Sequence, residues 1–192
     1  MTEAATEFKK GGYSDEDAAT LAKVAALYQN VADEEISTAD SASYVISQMK
    51  AFGIEAENAQ SIIDKTNEVS NRFAVSSADV SSALTKTSSA LGAYGNTIDN
   101  TIGLVTAGSE VMTNQAGKVG RGLRTIGANI VNMAKGAREF EISVDGVKKT
   151  VDLYNESTGE MYSTYDVLAQ IANSWDKMSS SEQSALAIQI AG

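Results

Sequence analysis

The stretch NQAGKVGRGLRTIGANI, residues 114–130, has the residue types that most suggest a chemical site. It places four glycines and three cations in the eleven positions from Gly117 to Gly127, a composition found in loops that hold phosphate. A Walker loop needs its lysine and hydroxyl after the last glycine, but Lys118 follows the first one. A dinucleotide fingerprint follows a buried strand, whereas helical periodicity precedes this stretch. We therefore predict a joint between two helices, where glycines allow a turn and then close packing; a phosphate-ligand-binding enzyme is the alternative.

The residue types that are missing exclude most catalytic chemistry. The chain of 192 residues has no Cys, no His and no Pro. Without His, the chain cannot form a Ser-His-Asp, Cys-His or H-E-x-x-H centre. We accordingly expect no catalytic residue, no cofactor and no metal. The lack of proline favours long helices, and the lack of any apolar run near eighteen residues favours a soluble chain.

Charge is distributed unevenly along the chain, whose net charge is -10. Residues 1–116 hold 16 acids and 7 bases, residues 117–138 hold 5 bases and no acid, and residues 139–192 hold 9 acids and 3 bases. On a helical wheel the middle cations cover about half of the circumference, and we predict an interaction face there. The acidic remainder would repel nucleic acid, which favours docking on an acidic neighbour or a solvated face. The predicted face comprises Lys118, Arg121, Arg124, Lys135 and Arg138.

Apolar residues recur at helical spacing throughout residues 14–138. Ser14 with Asp17 three residues later predicts a helix start, and Gly53 predicts a helix end. The predicted inward positions include Phe73 and Met112, each near the end of a helix. After the glycines, a heptad-like stripe predicts a helix-pairing seam, with an ordinary core helix as the alternative. The seam comprises Val119, Leu123, Ile126, Ile130 and Met133.

Alternating hydrophobicity replaces the helical pattern near residue 139. Asp145 and Gly146 lie between alternating runs and predict a type I′ hairpin, with Val147 as the first apolar residue after the turn. In the last helix, Ser180 and Gln183 occupy capping-box positions.

The predicted fold is mainly α, a multi-helix antiparallel bundle of helical hairpins with one small β-hairpin near residues 140–162. The predicted parts are a helical core of about six helices at 1–138, a hairpin insertion at 139–163 and a C-terminal helical pair at 164–192. The last pair ends in mid-pattern, as if truncated from a longer protein.

Several segments occur in an order that resembles a known family. They are KAFGI at 50–54, AQSIIDKTNEVS at 59–70, GRGLR at 120–124 and LAIQIAG at 186–192. From about residue 14 to residue 192, the chain resembles the core region of tail tape measure proteins of long-tailed phages and related prophages.

The resemblance implies a structural virion protein that is not an enzyme. It implies self-associated helical chains in the tail lumen, after assembly in the host cytoplasm, that help set tail length and are released during genome ejection. The implied partners are further copies of the chain, the tail tube protein and tail assembly chaperones, with DNA or the host envelope as contacts of the full-length protein at ejection. This chain lacks the long repetitive body of a complete tape measure protein, so a docking, folding or ejection module is also open. A non-phage helical self-association module is the alternative.

Overall fold

The computed structural model describes residues 3–192, which form nine α helices, one 3₁₀ turn and one two-stranded antiparallel sheet. This confirms the predicted mainly α fold with one small hairpin. Seven helices precede the hairpin, one more than the approximate number predicted. The helices are α1 (Glu3–Lys10), α2 (Asp15–Val31), α3 (Thr38–Phe52), α4 (Gln60–Arg72), α5 (Ser77–Ala93), α6 (Ile98–Val111), α7 (Ala116–Ala134), α8 (Thr164–Trp175) and α9 (Ser180–Ala191). The 3₁₀ turn is Ala56–Asn58, and the strands are β1 (Glu139–Val144) and β2 (Val147–Asp152).

Short polar residues and glycine set the helix ends as the sequence predicts. The Ser14 hydroxyl accepts a hydrogen bond from the backbone N–H of Asp17 at 3.1 Å and so begins α2. Gly53 ends α3 in the left-handed conformation, with φ 64°, which glycine adopts without a steric cost. Both predictions are confirmed.

The start of α9 lies one residue earlier than predicted. Ser179 and Glu182 form the capping box, rather than Ser180 and Gln183. Three consecutive serines offer the same hydroxyl, so the carboxylate three residues after the first one decides the register. The Gln183 side chain instead donates to the Trp175 carbonyl at 3.0 Å.

Two hydrophobic clusters lie along α7. The first joins α1–α6 to the first half of α7, and the second joins the last half of α7 to the hairpin, α8 and α9. Phe8 in the first cluster and Leu153 in the second are fully buried. The inward predictions for Phe73 and Met112 are wrong, since these side chains are 47% and 38% exposed. Each follows the last residue of its helix, where the chain leaves the helical stripe.

The hairpin turn is the predicted type I′ turn. Asp145 and Gly146 both have positive φ, 53° and 72°, as this turn requires. Val144 pairs with Val147 across the strands. Val144 is buried but Val147 is 61% exposed, so only one of the two apolar residues beside the turn lies in the core. The cause is that α9 packs against β1 at this end of the sheet.

Glu182 links the hairpin to the start of α9. Its carboxylate accepts hydrogen bonds from the Ser143 hydroxyl, from the Gly146 N–H at 3.0 Å and from the Ser179 N–H at 2.8 Å. These hydrogen bonds, with that of Ser143 foremost, lower the pKa of Glu182 from 4.5 to about 2, because they favour the charged form. An ionised carboxylate therefore holds this junction.

Candidate interaction surface

The glycine-rich stretch is helical and does not form a loop. Gly117 to Gly127 lies within α7, so most of its backbone N–H groups bond to carbonyls one turn earlier and cannot wrap a phosphate. The predicted turn at these glycines is wrong. The chain instead turns before them, at residues 112–115, where Asn114 has φ 58° and the Gln115 N–H donates to the Met112 carbonyl at 3.1 Å.

The close packing predicted for the glycines is present at two of them. A Cβ on Gly120 would overlap the carbonyl oxygen of Ala83 on α5 and lie 3.0 Å from the Lys86 Cβ. A Cβ on Gly127 would lie 2.9 Å from the Tyr94 ring. The contact with the Ala83 oxygen and the contact with the Tyr94 ring are both shorter than real Cβ contacts. Glycine therefore allows α7 to lie directly against α5.

Three of the predicted cations share an exposed face of α7. Lys118, Arg121 and Arg124 are exposed, and none takes part in an ion pair with another residue of the 3–192 range. The Lys118 ammonium donates to the Gln115 side chain at 2.9 Å, which leaves its charge uncompensated. These cations form what we call the basic face, defined as Lys118, Arg121 and Arg124.

The other two predicted cations lie beyond the helix. Since α7 ends at Ala134, the helical wheel that unites all five cations does not hold. Lys135 is the C-cap residue and donates to the Asn132 side chain at 3.1 Å. Arg138 precedes β1, and its guanidinium lies over the Tyr154 ring, 4.7 Å from the centroid, a favourable cation–π geometry.

The predicted helix-pairing seam faces the interior of the same chain. Val119 and Leu123 belong to the first hydrophobic cluster, and Ile130 belongs to the second. Ile126 and Met133 are partly buried against the second cluster. The stripe is therefore occupied within one molecule, as the core-helix alternative expects.

A groove with only negative charges among its lining residues lies between the α2–α3 loop and α5. Glu35 and Asp40 line it, with hydroxyl groups from α3 and α5. Burial raises the pKa of Tyr28 in this lining, and the charges of Asp33 and Glu34 raise it further. We call the exposed carboxylates Asp33, Glu34, Glu35 and Asp40, with the lining, the acidic groove. It is not predicted from the sequence, although the run of three acids at 33–35 is the signal that points to it.

A second groove, between α4 and α6, is mainly apolar. Val69, Ile102 and the half-exposed Phe73 line it, and the ion pair between Lys65 and Asp99 lies at its rim. Nothing in the sequence pattern separates these residues from the core stripes of their helices. The groove follows from the chain turning away at the end of α4.

Neither a metal site nor a membrane span emerges from residues 3–192. Within this range, no three His, Cys, Asp or Glu residues are grouped so that they could hold a metal ion. No helix in the same range combines the length and apolar character needed to cross a membrane.

Comparison with known proteins identifies a family. The family model described as phage-related minor tail protein matches residues 1–192. No solved structure matches the chain. The match supports the phage-tail part of the resemblance noted from the sequence, and it favours that reading over a non-phage helical module. From its full-length match, the chain belongs to the phage-related minor tail protein family and is a structural component of phage tails.

Proposed function

We propose that the chain is a segment of a tail tape measure protein. In this role it helps set tail length in the tail lumen, organises tube assembly and is released during genome ejection. The observation that carries the proposal is membership of a phage minor tail family over residues 1–192, together with the order of segments that resembles tape measure cores. The proposed partners are further copies of the chain, the tail tube protein and assembly chaperones.

The helical architecture supports this role through its geometry. A helix rises 1.5 Å per residue, so a fully helical chain of this length would span about 290 Å. The folded chain is far shorter, because its helices pack back on one another. We therefore propose a compact form before assembly and a more extended form in the tail.

Cross-linking distinguishes the two forms. Lys86 packs beside Gly120 in the compact form, so a lysine cross-linker should join Lys86 to Lys118 in free protein. The same cross-link should be lost in purified tails. Equal yields of this cross-link in free and tail-bound protein would contradict the extension.

Mass spectrometry of gradient-purified tails tests the assignment to the tail itself. The tryptic peptide AFGIEAENAQSIIDK, residues 51–65, should be present at a few copies per tail relative to the tube subunit. Its absence from intact particles, combined with abundance in the infected cell, would refute the proposal.

Electron microscopy separates a ruler from a docking module. An in-frame deletion of residues 1–192 from the phage gene should shorten the tails by up to about 290 Å if the segment is part of the ruler. Tails of normal length would show that this segment does not measure length.

A further inference from the structure

The basic face of α7 is an exposed surface of three closely spaced cations. Its cations follow one another at intervals of three residues, so they extend over about 9 Å of the helix axis. On the helical wheel Gly122 lies about 40° from Lys118, at one edge of this face, and a Cβ there would meet no atom within 4 Å. The surface beside Lys118 is therefore open.

The acidic groove has the opposite character. Glu34, Glu35 and Asp40 are exposed, and none of them forms an ion pair with another residue of the 3–192 range. No lysine or arginine lies in its lining. Both surfaces thus carry uncompensated charge within one copy.

We propose that the basic face of one copy docks on the acidic groove of a second copy. This inference rests on the proposed function, which requires several copies, and it names the contact between them. Arginine suits the contact because its planar guanidinium can donate two parallel hydrogen bonds to a carboxylate. The contact joins two different surfaces, so each copy can bind one neighbour through its basic face and another through its acidic groove, which gives a chain of copies. The exception is a closed dimer, in which two copies make both contacts with each other.

A second copy fits the basic face better than nucleic acid does. The whole chain carries a net charge of -10, so a phosphate backbone along α7 would meet repulsion from the surrounding acids. Two copies instead bring one positive and one negative surface together. Physiological salt screens charges beyond about 8 Å, so distant acids weaken either contact only slightly, and the local match of a positive with a negative surface favours the second copy.

Sedimentation velocity with charge-reversed variants tests the contact. The wild-type chain should associate at low salt, with an association constant at least about tenfold lower at 0.5 M NaCl. R121E/R124E and E34K/E35K should each lower the association constant at least tenfold at low salt. An equimolar mixture of the two variants should associate again, because each supplies the surface that the other lacks.

A matched control separates this contact from the effect of net charge. K149E/K177E changes the net charge by the same amount as R121E/R124E, at exposed positions outside the basic face. This control should associate like the wild type. At 0.5 M NaCl, where the contact is weakened, all variants should keep the wild-type circular dichroism and melting temperature.

Three results would overturn the proposal. They are a monomeric wild type at low salt, a mixture that stays monomeric, and a control that loses association as fully as R121E/R124E. Binding of a 20-base-pair DNA duplex by wild type but not by R121E/R124E at 0.15 M NaCl would assign the face to nucleic acid instead. Failure here leaves the tail-length and peptide tests untouched, so the two proposals can fail separately.

Discussion

Substitution of Gly120 by alanine, compared with the same change at Gly122, isolates the close approach of α7 to α5. Both glycines lie in the interior of α7, two residues apart. A Cβ on Gly120 would overlap the Ala83 carbonyl oxygen, whereas a Cβ on Gly122 would meet open space. The two variants therefore differ in packing while sharing the same change in helix propensity.

The expected free energies of unfolding follow from helix propensity and from packing. Alanine in place of glycine in a helix interior stabilises by about 1 kcal/mol, so Gly122→Ala should raise the free energy of unfolding by that amount. At Gly120 the same gain is opposed by overpacking, which costs about 1–3 kcal/mol and more where backbone cannot move. Because the clash is with the backbone, we expect the free energy of unfolding of Gly120→Ala to lie about 1–2 kcal/mol below that of the wild type and about 2–3 kcal/mol below that of Gly122→Ala.

Thermal and urea denaturation followed by circular dichroism measure the difference. For a chain of this size, 1 kcal/mol shifts the melting temperature by about 2–4 °C. Gly122→Ala should therefore melt about 2–4 °C above wild type, and Gly120→Ala about 2–8 °C below it. A Gly120→Ala variant as stable as Gly122→Ala would refute the close approach of α5 and α7.

The remaining predictions concern acid stability, surface packing and ligand binding. The pKa of Glu182 is lowered to about 2, so its stabilising contribution is complete above about pH 4.5 and is lost as the pH falls toward 2. The melting temperature of Glu182→Gln should therefore vary less with pH in this interval than that of the wild type. Equal pH dependence of the two melting temperatures would contradict the role of Glu182 at the junction. In urea denaturation, Leu84→Ala should lower the free energy of unfolding by about 2–5 kcal/mol, because Leu84 is fully buried. Phe73→Ala should lower it by only about 1 kcal/mol, because the Phe73 side chain is 47% exposed. Similar losses of stability in the two variants would show that Phe73 is buried in solution. Addition of 1 mM ATP should leave the melting temperature unchanged, whereas a nucleotide site with a Kd of about 10 μM would stabilise the chain by about 2.7 kcal/mol.

Local chemistry made the helix starts, the helix cap at Gly53 and the hairpin turn predictable. A hydroxyl three residues before a carboxylate, or Asp-Gly between alternating runs, satisfies its own backbone groups without help from distant residues. The predicted start of α9 lies one residue too late, because Ser179 and Ser180 offer the same hydroxyl. Here only the position of Glu182 distinguishes the alternatives.

Tertiary packing, rather than local sequence, determines that the glycine-rich stretch is helical. Four glycines in eleven residues suggest a turn, because glycine weakens an isolated helix by about 1 kcal/mol per residue. In the fold, contact with α5 at Gly120 and with Tyr94 at Gly127 stabilises the helix instead. The spacing of glycines does not reveal which of them face a neighbouring backbone.

For the candidate surface, too, the sequence predicts one part, and tertiary structure determines the rest. The basic segment was evident from composition, but its extent depended on where α7 ends, which places Arg138 against Tyr154 rather than on the helix. The acidic groove combines residues from the α2–α3 loop with residues of α5 that are more than 40 positions away in the sequence. No local pattern brings such distant residues together.

The sharing of α7 between two hydrophobic clusters has a consequence during synthesis. Residues 4–123 supply the first cluster, so that cluster can form while the hairpin, α8 and α9 are still being made. At about 5–20 residues per second, the ribosome needs roughly 3–12 s to add the residues between the end of α7 and Gly192. Until those residues are added, Ile126, Ile130 and Met133 lack the partners that complete the second cluster. A chaperone that binds apolar segments of nascent chains would find such a segment there, and would lose it once α9 is in place.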